Sequence, residues 1–127
     1  MTLEEYIQFK LSNIEEIKSL VGENIFAFSG TTNASNCFIR WHIISEEDAV
    51  SLLNGFSSLK KAEVQISVFA NTVINARKIV NAITNTFNNQ TQNFFNIRCS
   101  QATIIQPTIE DTQTIHYPIR ITFFYNI

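Results

Sequence analysis

A chain of 127 residues is long enough to bury one core and too short for two domains of ordinary size. A formal net charge of −2 and a pI near 5.6 offer a polyanion nothing, so electrostatic nucleic-acid binding is not expected. Charged residues make up 16%, few for a free monomer, and Asn, Gln, Ser and Thr supply much of the polar surface. Such a surface reads either as one meant to be covered by neighbouring subunits or as the codon bias of an AT-rich genome.

No basic segment followed by an apolar run opens the chain, so no secretory signal is expected. No apolar run approaches the ~20 residues that span a bilayer. Cys37 and Cys99 each fall in a strand-like stretch without partners at metal-ligand spacing, which reads as two reduced thiols in an intracellular compartment. In that compartment the glycosylation patterns Asn33-Ala34-Ser35 and Asn89-Gln90-Thr91 carry no expectation.

Thr2-Leu3-Glu4-Glu5 is a capping box, and behind it Leu3, Ile7, Leu11 and Ile14 share one helical face, flanked by Tyr6 and Phe9. Ser12-Asn13-Ile14-Glu15-Glu16 repeats the start signal, so the helix is expected to break there and resume toward Leu20 and Val21. Gly22 is the expected stop, in a conformation only glycine adopts without strain. Ile25 to Phe28 reads as a first short strand and Ser29 to Asn36 as a polar loop. In the next run Cys37, Ile39, Trp41 and Ile43 alternate with Phe38, Arg40, His42 and Ile44. Both faces carry bulk, which predicts an inner strand.

Ser45 to Lys61 supports two readings. Ser45-Glu46-Glu47-Asp48 suits the cap of a short helix through Leu53, whereas Asn54-Gly55 is a turn signal. Leu52, Leu53, Phe56 and Leu59 are apolar between polar flanks, so they either pack back on their own chain or form a contact site for another. Lys60-Lys61 reads as a solvated start to the next strand.

Val64, Ile66, Val68 and Ala70 alternate with Glu63, Gln65, Ser67 and Phe69, which predicts a strand with the first set buried. At Asn71 the period changes. Val73, Ala76, Val80, Ile83 and Phe87, with Ile79 beside them, form the apolar stripe of a helix over about 72–88, capped by Asn71 or Thr72. A strand passing straight into a helix folds the helix back across its own sheet. Asn88 to Asn93 reads as a loop, Phe94 to Ile105 as a strand of weak alternation, and Pro107 to Gln113 as a turn. Ile115, Tyr117, Ile119, Ile121, Phe123 and Tyr125 then alternate with polar or mixed residues in the clearest strand, pairing with the preceding one as an antiparallel hairpin. Pro118 lacks a donor, so this strand is expected at an edge or paired on one side only near Pro118. The fold class expected is α+β: an antiparallel or mixed sheet with the N-terminal helix and the 72–88 helix on one face.

Motifs for chemistry are sparse. Gly22, Gly30 and Gly55 stand singly and form no phosphate loop. His42 and His116 lack ligand partners at helical or hairpin spacing, and no serine occupies a nucleophile elbow. Glu4-Glu5, Glu15-Glu16 and Glu46-Glu47 are adjacent pairs, better explained as charges at helix N-termini than as an acid–base couple. Arg40 and His42, two apart on one strand face, are the one conceivable active-site pair. The expectation is no enzyme, with no catalytic, cofactor-binding or metal-binding residue.

One resemblance follows from the order of these pieces. A helix broken near Ser12-Asn13, Leu20-Val21-Gly22 before Ile25-Phe26, the strand Phe38 to Ile43 and an excursion ending near Leu53-Asn54-Gly55 come first. Val64 to Ala70 then runs into Ala76-Arg77-Lys78-Ile79-Val80, and Tyr117 to Phe123 closes the chain. Over nearly the whole length this resembles the tail-completion (tail terminator) proteins of long-tailed bacteriophages and related gene-transfer particles. Members often carry a proline ahead of the strand that begins here at Cys37, where this chain has Ser35-Asn36.

The resemblance implies residues 1–127 as one tail-terminator-like domain and a homo-hexameric ring without enzymatic activity. The ring would cap the tail tube and present a joining surface to the head. Implied partners are further copies of the chain, the tail tube protein, and a head–tail connector or head-completion protein, with no need for nucleic acid or membrane. Implied localisation is the virion, at the head-proximal end of the tail, after assembly in the host cytoplasm. Leu52, Leu53, Phe56 and Leu59 are then the expected interface residues. Two alternatives stay open: a small ligand-binding or enzymatic α+β domain built on the Arg40/His42 face, and another neck or head-completion ring subunit.

Overall fold

The central strand keeps the alternation of its sequence. In β3 (Leu59–Ala70) the residues Ala62, Val64, Ile66, Val68 and Ala70 are all fully buried, while Glu63, Gln65 and Phe69 are half-exposed. In the computed structural model, which describes residues 2–22, 24–27, 37–48, 59–88, 98–99, 103–105, 107–109 and 114–126, this strand is the middle of a mixed sheet. Its neighbours are β2 (Phe38–Asp48) and β7 (Ile115–Asn126), both antiparallel to it. β1 (Ile25–Ala27) joins β2 in parallel. Three short pieces, β4 (Arg98–Cys99), β5 (Thr103–Ile104) and β6 (Thr108–Ile109), line the far side of β7. The α+β class is as expected.

Register makes rows across the three long strands. Ile39, Val68 and Tyr117 stand in one row, Trp41, Ile66 and Ile119 in the next, and Ile43, Val64 and Ile121 in a third. All point toward the helices α1 (Leu3–Ser12), α2 (Glu15–Val21) and α3 (Val73–Asn88), whose buried residues complete one core. Phe123 ties the layers together, meeting Tyr6 of α1 and Phe87 of α3 edge-on at ring-centroid distances of 6.4 and 5.7 Å.

The helix ends are built largely as the sequence requires. The Thr2 hydroxyl accepts from the Glu5 amide at 3.1 Å and the Glu5 carboxylate accepts from the Thr2 amide at 3.0 Å. The Thr2 amide, and the Thr2 hydroxyl donating to the same carboxylate oxygen at 3.0 Å, hold the exposed Glu5 carboxyl below the usual carboxylate range. Thr2→Ala is therefore expected to cost about 1 kcal/mol, read as a lower urea midpoint at unchanged slope. The Thr72 hydroxyl accepts from the Asn75 amide and caps α3. Gly22 takes φ +60 and ψ −125, a backbone region that only glycine enters freely.

Several expectations are corrected. The break after α1 comes where expected, but the restart has no side-chain cap: Ile14 holds the N-cap, and the Asn13 amide group donates back to the Phe9 carbonyl. Val73 does not join the buried stripe. It lies in the first turn of α3, beyond the reach of the sheet, and is 60% exposed. Ser45 to Asp48 do not cap a helix, because β2 continues through them in register with β3 as far as Asp48 opposite Lys60.

Of the run expected as one strand from Phe94 to Ile105, the described pieces Arg98–Cys99 and Thr103–Ile104 pair with β7 in different registers, and Thr108–Ile109 pair with β7 where a turn was expected. The register on β7 slips by one residue between β4 and β5 and again between β5 and β6. Each slip exchanges the faces, which is why the sequence there alternates so weakly. β7 is an inner strand despite Pro118. That residue stands opposite Ser67 of β3, and its carbonyl accepts from the Ile105 amide at 3.0 Å on the other side. Its missing donor faces the same side, where the ladders of β5 and β6 end short of it, so the expected edge position is overturned and the expected one-sided ladder near Pro118 holds.

Cys37 is buried at the start of β2, and burial pushes its thiol pKa up. It is expected to resist iodoacetamide in the native protein and to react once denatured, as read by peptide mass spectrometry.

Candidate assembly surfaces

Three of the four apolar residues expected at an interface fall, in sequence, between β2 and β3. Leu52, Leu53 and Phe56 lie outside the described residues; Leu59 opens β3 opposite Asn126 by its backbone. The residues on either side of them in sequence form the paired stem of β2 and β3. A bulge at Ile44 shifts the register between Ile43 and Ser45, which turns Glu46 onto the helix side of the sheet. There the Tyr125 hydroxyl donates to the Glu46 carboxylate at 2.6 Å, bracing β2 to β7 across β3. Burial and then this acidic partner raise the Tyr125 phenol well above its ordinary pKa. On the opposite side Lys61 stands 3.9 Å from Glu47, an exposed pair that adds little to stability. The stem is thus fixed by its ladder and one buttressing hydrogen bond.

The second candidate is the sheet face turned away from the helices, which carries Arg40 and His42. Phe38, Phe69 and His116 form one row there, stacked nearly parallel with ring centroids 4.6 and 4.4 Å apart. The Arg40 guanidinium lies over Phe38 and Phe69 at 5.7 and 5.5 Å, and its buried Nε has no hydrogen-bond acceptor among the described residues. Two rows on, His42, Gln65 and Arg120 stand side by side, with Arg120 3.9 Å from Glu63. Arg40 therefore packs on aromatic rings rather than converging with His42 on a cleft. Among the described residues no three His, Cys, Asp or Glu gather closely enough to hold a metal ion.

A third surface has no counterpart in the sequence reading. Between α1 and β1 lies an open, largely apolar groove of about 800 Å³, lined by Phe9, Ile25, Phe26 and Trp41 and rimmed by Glu4 and Glu5. Gln8 stands at its floor, accepting from the Trp41 indole at 2.9 Å and donating to the Ile25 carbonyl at 3.2 Å. Because the Asn24 carbonyl accepts from Ile39 of β2, the next carbonyl, Ile25, points to the open edge. Gln8 thereby occupies the acceptor that a further strand would use, which blunts this edge against strand addition.

The fourth is the first turn of α3, where Val73 and Ile74 are 60% and 69% exposed. The only sequence signals for these two surfaces were Phe9 at the flank of its stripe and Ile74 out of phase with the α3 stripe. Among the described residues no helix is long and apolar enough to cross a membrane.

No protein-family model matches the chain, and no curated protein matches it in sequence. Solved structures do share its fold. One, known only by a serial designation, superposes with a TM-score of 0.68 at 14% identity, covering 100% of this chain and 97% of its own. A second belongs to the virion of a native gene transfer agent particle, with a TM-score of 0.61 at 11% identity over 96% of this chain and 91% of that one. The chain thus shares its fold, over nearly its whole length, with a chain of a gene transfer agent virion.

Proposed function

We propose that this chain is a structural protein of a phage-like virion, and within it the subunit of a hexameric ring that caps the tail tube and offers the head its joining surface. The observation that carries the reading is the likeness to a gene-transfer-agent virion chain along nearly the whole of both chains. At 11% identity the two share architecture and little else, as expected where function rests on shape and docking rather than on a fixed set of reactive groups.

The fold supplies what such a subunit needs. The two-layer body braces β2 to β7 through the bond from Tyr125 to Glu46. Leu52, Leu53, Phe56 and Leu59, which fall in sequence between β2 and the first residue of β3, are the residues proposed to contact a neighbour or the tube. Binding would be associative, with apolar side chains withdrawn from water against the next subunit and no covalent step. Cosedimentation with purified tail tubes tests the reading. Saturable binding at one site per tube end supports it, and binding along the whole tube, or none, counts against it.

A further inference from the structure

We infer that neighbouring copies join head to tail by seating the first turn of α3 of one copy in the α1–β1 groove of the next. The inference rests on the ring reading and names the contact that would build the ring. A closed ring of identical subunits needs two different patches, complementary to each other and set on opposite flanks. The exposed apolar residues supply both. The groove presents Phe9, 52% exposed, beside half-buried Phe26, with Glu4 at its rim. The start of α3 presents Val73 and Ile74, followed one turn later on the same exposed face by Arg77 and Lys78. An apolar hollow with an acidic rim thus meets an apolar knob with a basic shoulder.

Their placement suits a head-to-tail contact. The Arg77 guanidinium donates to the Tyr117 hydroxyl, which sets this turn over β7, whereas the groove runs along β1. The sheet order β1-β2-β3-β7 puts three strand spacings between them, roughly 14 Å at about 4.8 Å each. One chain cannot bring its own knob to its own groove, so the occupant is a second copy. Gln8 adds a constraint: with the outward Ile25 carbonyl already bonded, the occupant is held by side chains and not by strand pairing.

Thiol crosslinking between two variants of the full chain tests this. Phe9→Cys and Ile74→Cys both fall on exposed positions, so neither substitution disturbs the core. Each variant keeps the native cysteines and is treated with a short bis-maleimide, alone and in equimolar mixture, at high protein concentration. The expected result is a mixed dimer at least tenfold above the yield of either variant alone, with the bridge located between the two introduced thiols by peptide mass spectrometry. Adding Glu4→Lys to the groove variant lowers that yield, and adding Lys78→Glu to the other restores it. A mixture that links no better than its components overturns the contact, and a yield indifferent to the charge reversals overturns the pairing of rim and shoulder. A mixed dimer from a protein that ignores tail tubes would keep this contact and remove the terminator reading. Tube-end binding without the mixed dimer would do the reverse.

Discussion

Phe123→Ala is expected to destabilise the fold by about 3–5 kcal/mol. The side chain is fully buried and meets two other rings edge-on, Tyr6 from α1 and Phe87 from α3. Its removal takes away the apolar surface and leaves a hollow where three elements meet, each anchored elsewhere and unable to close in. Each edge-on pair adds about 0.5–1.5 kcal/mol beyond simple burial. For a domain whose whole stability is about 5–15 kcal/mol, this places the variant near the limit of folding. Urea denaturation followed by circular dichroism would show a midpoint lowered by a third or more at unchanged slope. Val73→Ala is the control, expected to be near neutral because that side chain is mostly in water. A loss below ~1 kcal/mol at Phe123 would mean that the helices do not bear on this residue.

Phe56→Asp is expected to abolish assembly and leave the fold intact. Phe56 falls in sequence between β2 and β3, which are held to each other by pairing as far as Asp48 opposite Lys60 and to β7 by the bond from Tyr125 to Glu46, and the described core is complete without it. An aspartate in an apolar contact must be dehydrated without a partner, at a cost of at least ~2 kcal/mol per interface. That is about thirtyfold in affinity for each contact, and a ring repeats the penalty at every joint. Unchanged near-ultraviolet dichroism with loss of tube binding and particle yield is the expected pair of results. Normal particle yield from this variant would remove the hairpin end from the interface.

The sequence was most legible where burial follows one regular period. Val64 to Ala70 and Ile115 to Tyr125 each have one face on the core, so alternation names the buried apolar set, although Ser67 and Pro118 on the other face are buried too, and the stripe Ala76, Ile79, Val80, Ile83, Phe87 does the same for α3. Reading fails where geometry breaks the period. The bulge at Ile44 exchanges the faces of the hairpin stem, one register slip along β7 separates β4 from β5 within what looked like one weak strand, and a second sets off β6 in what looked like a turn. Pro118 allowed an edge strand or one-sided pairing near it, and the second holds: β5 and β6 pair with β7 on either side of Pro118, which is in ladder register with Ser67 of β3. The α1–β1 groove was invisible because it arises from the packing of segments far apart in sequence, Gln8 against Ile25 and Trp41. Val73 and Ile74 show the converse case. Their apolar character places them in the stripe or beside it, and only the position of the helix over the sheet leaves them in water.

The most direct measurement is negative-stain electron microscopy of purified tail tubes incubated with the wild-type protein. The account predicts a six-membered ring seated at one end of each tube. A protein that remains monomeric and leaves both tube ends bare would contradict it.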